Sequence, residues 1–350
     1  MPDSHWLASS CSHFFLVLSR QASNHCYRYT SGTFAVVESR GSSPYFSWTA
    51  AAMCIALWAL DSHDYALILC SNRDEFLVRP TRDAHFHNFE KESGGARGNV
   101  LSGLDIKAGG TWFGVSRTGK VALLTNITEP VKPYNFSRGY LASSFLLSDS
   151  TGPLEDQVAQ IVPQDAQFAG FNLLLFAPAA PRPDGLLHFD SLLVTNHGSG
   201  GIVTSRPLSA DERFCGCVSN AVDGLNTGWP KVKHATREFD AVLQTLSSET
   251  TDADLTDRLF ELLAWQSPEP VTERSQLRNT VHVAPLPITL DGVPTLDCNT
   301  YATRLSTILL IKKNGNAVFI ERDIWQLVDG KAVRADPRSQ RIFRFQVEAR

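Results

Sequence analysis

The chain has 350 residues, of which 43% are hydrophobic and 19% are charged. This composition allows a sizeable buried core and differs from that of a disordered protein. The net charge of −4, without a basic stripe, argues against nucleic acid as a partner. No apolar stretch reaches the about 18 residues that a membrane-spanning helix requires, so we expect no transmembrane segment.

The N-terminal part of the sequence differs from the rest. The first 52 residues are rich in Ser and show no sustained periodicity, and the second methionine of the chain is Met53. We interpret residues 1–53 as a disordered leader or a mis-assigned start, and residues 54–350 as one domain. We favour translation from Met53, because removal of this methionine would leave Cys54 at the N-terminus. The alternative is a genuine targeting or regulatory extension, faintly similar to a mitochondrial transit peptide.

Strand and helix patterns follow one another in a definite order. The predicted bounds are 55–60 and 65–70 for a first hairpin, 72–76 for a polar loop, 93–103 for a Gly-rich connection, 111–116 and 120–126 for a second hairpin, 138–148 and 154–161 for two helices, 171–177 and 186–195 for two strands, 232–246 and 253–265 for two more helices, and 304–312 and 317–322 for a hairpin turned at Asn-Gly. Asp252 is the predicted N-cap of the last helix. Antiparallel pairs at both ends, with helices between them, predict an α+β fold with antiparallel sheets.

The cysteine pattern indicates neither a metal site nor a disulfide framework. The seven cysteines are Cys11, Cys26, Cys54, Cys70, Cys215, Cys217 and Cys298. No CxxC pair is present, so a zinc ribbon or a thioredoxin-type motif is not predicted. Cys215 and Cys217 would share one face of a strand, but two small buried side chains are the simpler interpretation. This usage fits a reducing compartment, and we expect a cytoplasmic protein.

Cys54 is the first candidate catalytic residue. As the N-terminal residue it would carry a thiol and a free α-amine, whose ordinary pKa of about 7.7–8.0 suits a general base. The thiol is also the most nucleophilic side chain at neutral pH. A buried structural thiol in a strand is the alternative interpretation.

Polar residues at predicted strand ends are the other candidates. The hairpin would bring residues 72–75 to the same sheet end as Cys54, where Arg73 could stabilise a thiolate or bind a carboxylate. Asp74 or Glu75 could orient the α-ammonium group, although a solvated turn is the ordinary interpretation of such a cluster. Two further strand-end residues, Asn126 and Asn220, could direct amide N–H groups at an oxyanion, or could simply begin a turn.

Several motifs together resemble one known family. In order they are Met-Cys-Ile at 53–55, Asn-Arg-Asp-Glu-Phe at 72–76, Leu-Ser-Gly-Leu-Asp at 101–105, Gly-Gly-Thr-Trp-Phe-Gly at 109–114, Ala-Leu-Leu-Thr-Asn at 122–126, Gly-Phe-Asn-Leu at 170–173, Val-Ser-Asn-Ala at 218–221 and Ala-Thr-Arg-Leu-Ser-Thr at 302–307. This set is similar to the NRDE family, also called the transport and Golgi organization 2 family, over essentially all of residues 54–350. The Gly-Gly motif lacks the Lys of a phosphate loop, so close backbone packing is its expected role.

The resemblance implies a fold and a set of site residues. The fold is a four-layer αββα sandwich of the N-terminal-nucleophile hydrolase type. The site that matches the acylases of that type by position and residue type comprises Cys54, Arg73, Asp74, Asn126 and Asn220. Arg304 lies in a family motif but matches no acylase residue.

The resemblance also implies two alternative functions. The first is a factor in Golgi organization and protein secretion that handles haem or an acyl lipid, in the cytoplasm or at the Golgi or mitochondrion. The second is an amidohydrolase that cleaves a C–N bond with Cys54 as nucleophile. No cofactor is required in either case; haem would be cargo, and the partner would be a small hydrophobic or acyl-type ligand. His85 and His87 would share a strand face, but surface histidines are the simpler interpretation.

Overall fold

The computed structural model describes residues 53–89, 98–130, 132–225, 227–289 and 299–348. The predicted leader with Cys11 and Cys26, most of the Gly-rich connection, and Cys298 lie outside these ranges. All of the described residues belong to one compact unit.

Sixteen strands and five helices are formed by the described residues. The strands are β1 Ile55–Ser62, β2 Tyr65–Phe76, β3 Thr81–His87, β4 Val100–Asp105, β5 Phe113–Ser116, β6 Val121–Asn126, β7 Phe171–Pro178, β8 Phe189–Thr195, β9 Thr204–Pro207, β10 Gly216–Val218, β11 Leu286–Pro287, β12 Thr300–Lys312, β13 Asn316–Asp323, β14 Trp325–Val328, β15 Lys331–Arg334 and β16 Arg341–Gln346. The helices are α1 Arg138–Leu147, α2 Leu154–Ile161, α3 Ala210–Phe214, α4 Pro230–Gln244 and α5 Asp252–Leu263, with short 3₁₀ turns at Arg274–Asn279 and Pro337–Ser339.

The strands form two seven-stranded sheets and a separate ribbon of β14 and β15. The first sheet has the order β10-β1-β2-β12-β13-β16, with β11 paired to β12, and the second runs from β3 to β9 in sequence order. Every strand pair described is antiparallel. The predicted antiparallel sheets are therefore confirmed.

Three apolar clusters show how the layers stack. The first lies between the two sheets and joins Leu69 of β2 to Leu123 of β6. The second joins the outer face of the first sheet, through Ile68, to α4 and α5. The third joins the outer face of the second sheet, through Leu173, to α1 and α2. Leu69 and Ile68 face opposite ways because side chains alternate along a strand. The order is helix, sheet, sheet, helix, which confirms the predicted αββα sandwich.

The polar loop predicted at 72–76 is wrong, because these residues continue β2. They pair with β12, in a register that places Asp74 opposite Thr303. A buried strand accepts polar side chains when each finds a partner. Asn72, for example, donates to the Leu263 carbonyl oxygen over 2.8 Å and to the Val281 carbonyl oxygen over 3.0 Å. The extension carries the polar motif into the core beside Cys54.

Two smaller predictions are corrected as well. The described end of the Gly-rich connection is part of strand β4, which pairs with β3 and β5. The N-cap of α5 is Thr251, whose hydroxyl accepts from the Asp254 N–H in a capping box. Asp252 instead accepts a 2.7 Å hydrogen bond from the Tyr65 hydroxyl. All three predicted hairpins are formed, with β2 and β12 longer than predicted, and the four long helices lie within a few residues of their predicted bounds.

The Gly-Gly motif mediates close packing, as expected. A Cβ built on Gly110 would lie 2.6 Å from the backbone carbonyl carbon of Gly139 in α1. Only glycine permits this approach, which fixes the start of α1 against the second sheet. No helix among the described residues has the length and apolar character needed to cross a membrane.

Candidate active site

Cys54 lies directly before β1, where strand β10 ends beside it. Ser219 follows β10 and its hydroxyl donates a 2.7 Å hydrogen bond to the Cys54 carbonyl oxygen. The Cys54 thiol lies 3.9 Å from the backbone carbonyl oxygen of Asp74. Burial, followed by the nearby Asp74 charge, raises the pKa of the Cys54 thiol to about 12. The thiol is therefore protonated at neutral pH and needs a base to become a nucleophile.

Asp74 lies on β2 and is fully buried beside Cys54. Its Oδ1 atom accepts a 2.6 Å hydrogen bond from the Thr303 hydroxyl. Its Oδ2 atom is also buried but has no hydrogen-bond partner among the described residues. Burial raises the pKa of the Asp74 carboxyl to about 7, against the opposing effect of the Lys231 charge.

Lys231 is a site residue that the sequence analysis missed. It lies in the first turn of α4 and is 0% exposed. Its Nζ atom donates to the Met53 carbonyl oxygen and, over 3.4 Å, to the Cys54 carbonyl oxygen. Burial lowers the pKa of the Lys231 ammonium, whereas the Asp74 charge raises it. The helical spacing offered a signal, because Lys231 shares a buried stripe with Ala235 and Phe239.

Both backbone polar groups of Met53 are held by buried side chains. The Met53 N–H donates a 2.7 Å hydrogen bond to the Tyr301 hydroxyl, and Lys231 binds the carbonyl oxygen of the same residue. Tyr301 is fully buried on β12. Met53 is thus fixed by helix α4 and strand β12, which lie far from it in the sequence.

Arg73 points away from Asp74, as alternation along β2 requires, and its charge opposes the rise in the pKa of the Cys54 thiol. Its guanidinium stacks on the Trp112 ring at 4.0 Å from the ring centroid. It also donates to the Thr81 hydroxyl over 3.3 Å and lies 3.7 Å from a Glu75 carboxylate oxygen. Of the two acids predicted to orient the α-ammonium, Asp74 lies beside Cys54. Glu75 instead pairs with Arg73 and Arg79.

The two predicted asparagines lie together. The Asn220 side-chain amide donates a 2.6 Å hydrogen bond to the Asn126 carbonyl oxygen, and the Thr128 N–H donates over 2.8 Å to the Asn220 carbonyl oxygen. Asn220 is fully buried. The side-chain amide of Asn126 is half-buried and donates no hydrogen bond to any described residue. Asn126 therefore has the free amide group of the pair.

Arg304 supports the backbone near the site. Its Nη1 atom donates to the carbonyl oxygens of Leu77, over 3.3 Å, and Arg79, over 2.5 Å. Arg79 in turn binds Asp105 over 2.7 Å. These contacts hold the turn between β2 and β3, so the structure gives Arg304 a structural role there.

The cysteine and histidine pairs do not form a metal site. No group of three or more His, Cys, Asp or Glu side chains suited to a metal occurs in the described ranges. Cys215 and Cys217 are half-buried and free. Of the His pair, His87 uses Nε2 with the Ser102 hydroxyl at 2.9 Å and Nδ1 with the Phe89 N–H at 3.1 Å.

The candidate site therefore combines a thiol with buried groups of opposite charge. Cys54 supplies the thiol, Asp74 a buried carboxylate, Lys231 a buried ammonium and Asn126 a free amide. Such a set can support acyl transfer, provided that a base accepts the thiol proton.

Comparisons with known proteins confirm the family resemblance found in the sequence. Residues 53–326 match the family model described as "Transport and Golgi organisation 2". A transport and Golgi organization 2 homolog from Mus musculus is 30% identical over 284 residues, covering 78% of this chain and 93% of the relative. The homolog from Bos taurus is 31% identical over 287 residues, with the same coverage. The Drosophila melanogaster protein is 24% identical, covering 60% of this chain and 72% of the relative.

Solved structures with a related arrangement of elements are more distant. A Caenorhabditis elegans ortholog of N-acylethanolamine-hydrolyzing acid amidase superposes with a TM-score of 0.41 at 11% identity, covering 73% of this chain and 92% of that one. A mutant conjugated bile acid hydrolase from Clostridium perfringens superposes with a TM-score of 0.42 at 9% identity, covering 84% and 97%. The family model matches most of the chain, residues 53–326, and the Bos taurus relative is 31% identical. The chain therefore belongs to the Transport and Golgi organisation 2 family.

Proposed function

We propose that this protein is a cysteine amidohydrolase that cleaves a C–N amide bond with Cys54 as nucleophile, once Cys54 is the N-terminal residue. The Asp74 carboxylate carries the proposal. Its buried Oδ2 atom has no partner among the described residues, and an unsatisfied buried carboxylate oxygen is costly. The α-ammonium group of an N-terminal Cys54 would be a charged donor beside it.

The state with Met53 attached lacks the base that the reaction needs. The Cys54 nitrogen is then part of a peptide bond and cannot accept a proton. The pKa of the buried thiol is also high, at about 12. Removal of Met53 would convert this nitrogen into an amine within reach of its own thiol, which is the arrangement that general-base activation requires.

The proposed reaction has two halves. The Cys54 amine accepts the thiol proton, and Sγ attacks the amide carbonyl carbon while the π electrons move to oxygen. The C–N bond then breaks, the ammonium returns its proton to the leaving amine, and a thioester remains. Water attacks the thioester and gives a proton to the amine, the C–S bond breaks, and the carboxylic acid leaves with Cys54 restored as a thiol.

The surrounding side chains have distinct proposed roles in this scheme. Asn126, whose amide is free, donates to the developing oxyanion together with the second N–H of the Asn220 amide. Asp74 orients the α-ammonium, and Lys231 offsets the Asp74 charge in the core. Arg73, stacked on Trp112, contributes positive charge near the thiolate.

The test begins with intact-mass and N-terminal analysis of protein purified from its own cells. Protein that begins at Cys54 is then compared with protein that retains Met53, using a panel of N-acyl amides and mass spectrometry of acyl adducts. We expect turnover and a Cys54 adduct only in the form with a free N-terminal cysteine. Cys54→Ser should abolish the adduct, while Cys217→Ser, a half-buried control, should not. Equal labelling of native and denatured protein would contradict the proposal.

A role in Golgi organization and protein secretion, with haem or an acyl lipid as cargo, is a second proposal. Membership of a family named for transport and Golgi organization supports it, and it is compatible with an amidase activity. The His pair gives it no additional support, because both ring nitrogens of His87 are engaged. Titration with haem checks the cargo: a shift of the haem absorption band supports it, and an unchanged spectrum refutes the haem version.

A further inference from the structure

Arg138 is a buried cation without an acidic partner. It is the first residue of α1 and is 8% exposed. Its Nη1 atom donates a 2.8 Å hydrogen bond to the Gly170 carbonyl oxygen, and it forms no ion pair with a carboxylate of the described residues. A buried guanidinium has five N–H donors and is normally paired with an anion.

The nearest acid is already bound elsewhere. Glu129 accepts a 2.7 Å hydrogen bond from the Gly170 N–H through Oε1. Its Oε2 atom accepts from both the N–H and the hydroxyl of Ser199. Glu129 therefore fixes the backbone around Arg138 and contributes some opposing charge, but it leaves the guanidinium unpaired.

Tyr134 provides a second donor without a partner. Its hydroxyl oxygen is shielded from solvent and forms no hydrogen bond with any described residue. One edge of its ring lies against Gly200, where a Cβ would lie 3.0 Å from Cε1. Tyr134 lies on the segment that leads to Arg138 at the start of α1. Burial and the nearby Glu129 charge raise the pKa of the Tyr134 phenol, and the Arg138 charge opposes them. An unpaired cation and an unpaired hydroxyl near one another suit an anionic oxygen ligand.

These groups lie at the same end of the sandwich as Cys54. The Gly170 carbonyl oxygen that binds Arg138 also accepts a 2.8 Å hydrogen bond from the Ile127 N–H. The residue before Ile127 is Asn126, whose carbonyl oxygen binds Asn220. Burial lowers the pKa of Arg138 to about 10, and the Glu129 charge and a thiolate at Cys54 oppose this. Arg138 and Asn126 are thus linked through a single backbone contact, that between Gly170 and Ile127.

We propose that Arg138 and Tyr134 form a subsite for a carboxylate of the substrate, so that the protein acts on amides that carry a free carboxylate group. The inference rests on the proposed amidohydrolase function, and it names the substrate class for that site. A carboxylate would supply the charge that Arg138 lacks and accept a hydrogen bond from the Tyr134 hydroxyl. Two bonds from a fixed guanidinium would also orient the scissile amide relative to Cys54.

Binding is measured on the full-length Cys54→Ala protein, so that the result does not depend on turnover. The probes are N-decanoylglycine and its neutral counterpart N-decanoylglycinamide, compared by calorimetric titration. We expect the acid to bind about tenfold or more tightly than the amide, as a charge-assisted hydrogen bond predicts. A dicarboxylic acid monoamide, with its carboxylate on the acyl side, shows which part of the substrate carries the charge.

Two variants test the subsite residues. Tyr134→Phe removes a hydroxyl that has no partner, so it should fold normally and reduce the preference for the acid several-fold. Arg138→Gln keeps a donor for the Gly170 carbonyl oxygen. It should bring the ratio of the affinities for the acid and the amide close to one. Arg117→Gln is the matched control: Arg117 also donates to a single carbonyl oxygen, that of Gly98 over 3.1 Å, but lies in the turn at the other end of β6.

The outcomes separate the two proposals. Equal affinity for acid and amide, no binding of the acid, or a preference that persists in both variants would overturn the subsite. A carboxylate preference of the Cys54→Ala protein that depends on Arg138, together with no turnover of either amide by protein that begins at Cys54, would support the subsite and refute the amidase. Turnover of acid and amide at equal rates would support the amidase and refute the subsite.

Discussion

The Thr303 hydroxyl donates a 2.6 Å hydrogen bond to Asp74 Oδ1 and accepts a 2.8 Å hydrogen bond from the Val283 N–H. One hydroxyl on β12 thereby fixes the carboxylate beside Cys54 and ties it to the segment that follows α5. Thr303 is fully buried, so neither bond can be replaced by water without rearrangement of the core.

Thr303→Val should therefore destabilise the protein. It leaves a carboxylate oxygen and a backbone N–H unsatisfied, at a cost of about 1–3 kcal/mol each. Thr307→Val is the matched control on the same strand, because the Thr307 hydroxyl is buried without a partner and its replacement by a methyl group should be neutral or stabilising. Urea denaturation of both variants checks this, and an equal loss of stability in the two would contradict it.

Asp74 should make stability depend on pH. Its pKa is raised from the ordinary value of 3.8 to about 7, so the folded state binds the proton more tightly than the unfolded state. The stabilisation that protonated Asp74 gives the folded state is fully present below the pKa of this carboxyl in the unfolded chain, and it is lost as pH rises through about 7. Asp74→Asn should flatten the decline of stability over this range, whereas Asp190→Asn, a change at an exposed carboxylate, should not.

The measurement is the urea midpoint of each variant at about pH 4.5 and about pH 8. The difference between the two midpoints should be smaller in Asp74→Asn than in the unchanged protein. A difference that stays the same in Asp74→Asn, or falls equally in Asp190→Asn, would show that other groups control the dependence.

Much of the fold could be predicted from the sequence, because it depends on local patterns. The hairpin at Asn-Gly and the helices of periodic apolar spacing were found close to their predicted bounds. Residues 72–76 were predicted as a loop because polarity alone suggests solvent. Their partners, such as Leu263, Val281 and Ser306 around Asn72, come from segments about two hundred residues away, and no local pattern reveals them.

The site was predictable to the same degree. Cys54 and Asp74 lie together because a hairpin returns the chain to its start, which the sequence shows. Lys231 reaches Cys54 only through the docking of α4 on the first sheet, and Tyr301 only through the central position of β12. Such contacts depend on tertiary packing, and no local pattern in the sequence predicts a role for Lys231 or Tyr301.

Lys231→Met should affect Asp74 more than it affects the fold. The change removes a charge that lowers the Asp74 pKa, so the pH range in which that carboxyl ionises should move upward. Loss of the donor to the Met53 and Cys54 carbonyl oxygens is partly offset, because a desolvated charge is removed as well. We expect amidase activity to fall strongly, and stability to fall mainly at pH values where Asp74 is ionised, because the buried carboxylate then lacks its counter-charge.

The exposed Lys233, on the same helix, provides the control Lys233→Met. Activity profiles and urea midpoints across pH are compared for the two variants. If the pH–activity profile of Lys231→Met is not shifted relative to that of the unchanged protein, the proposed electrostatic link between Lys231 and Asp74 is wrong.

Gly110→Ala should displace the start of α1 and with it Arg138. The added Cβ would lie 2.6 Å from the Gly139 carbonyl carbon, and because both sides of this contact are backbone, relief requires a shift of the helix at a cost of about 1–3 kcal/mol. Gly228→Ala is the control, since nothing lies within 4 Å of the added Cβ there. Thermal denaturation should show a lower midpoint for Gly110→Ala alone, and the preference for N-decanoylglycine over its amide should fall with it. A stable variant that keeps this preference would mean that the Gly110–Gly139 contact does not position Arg138.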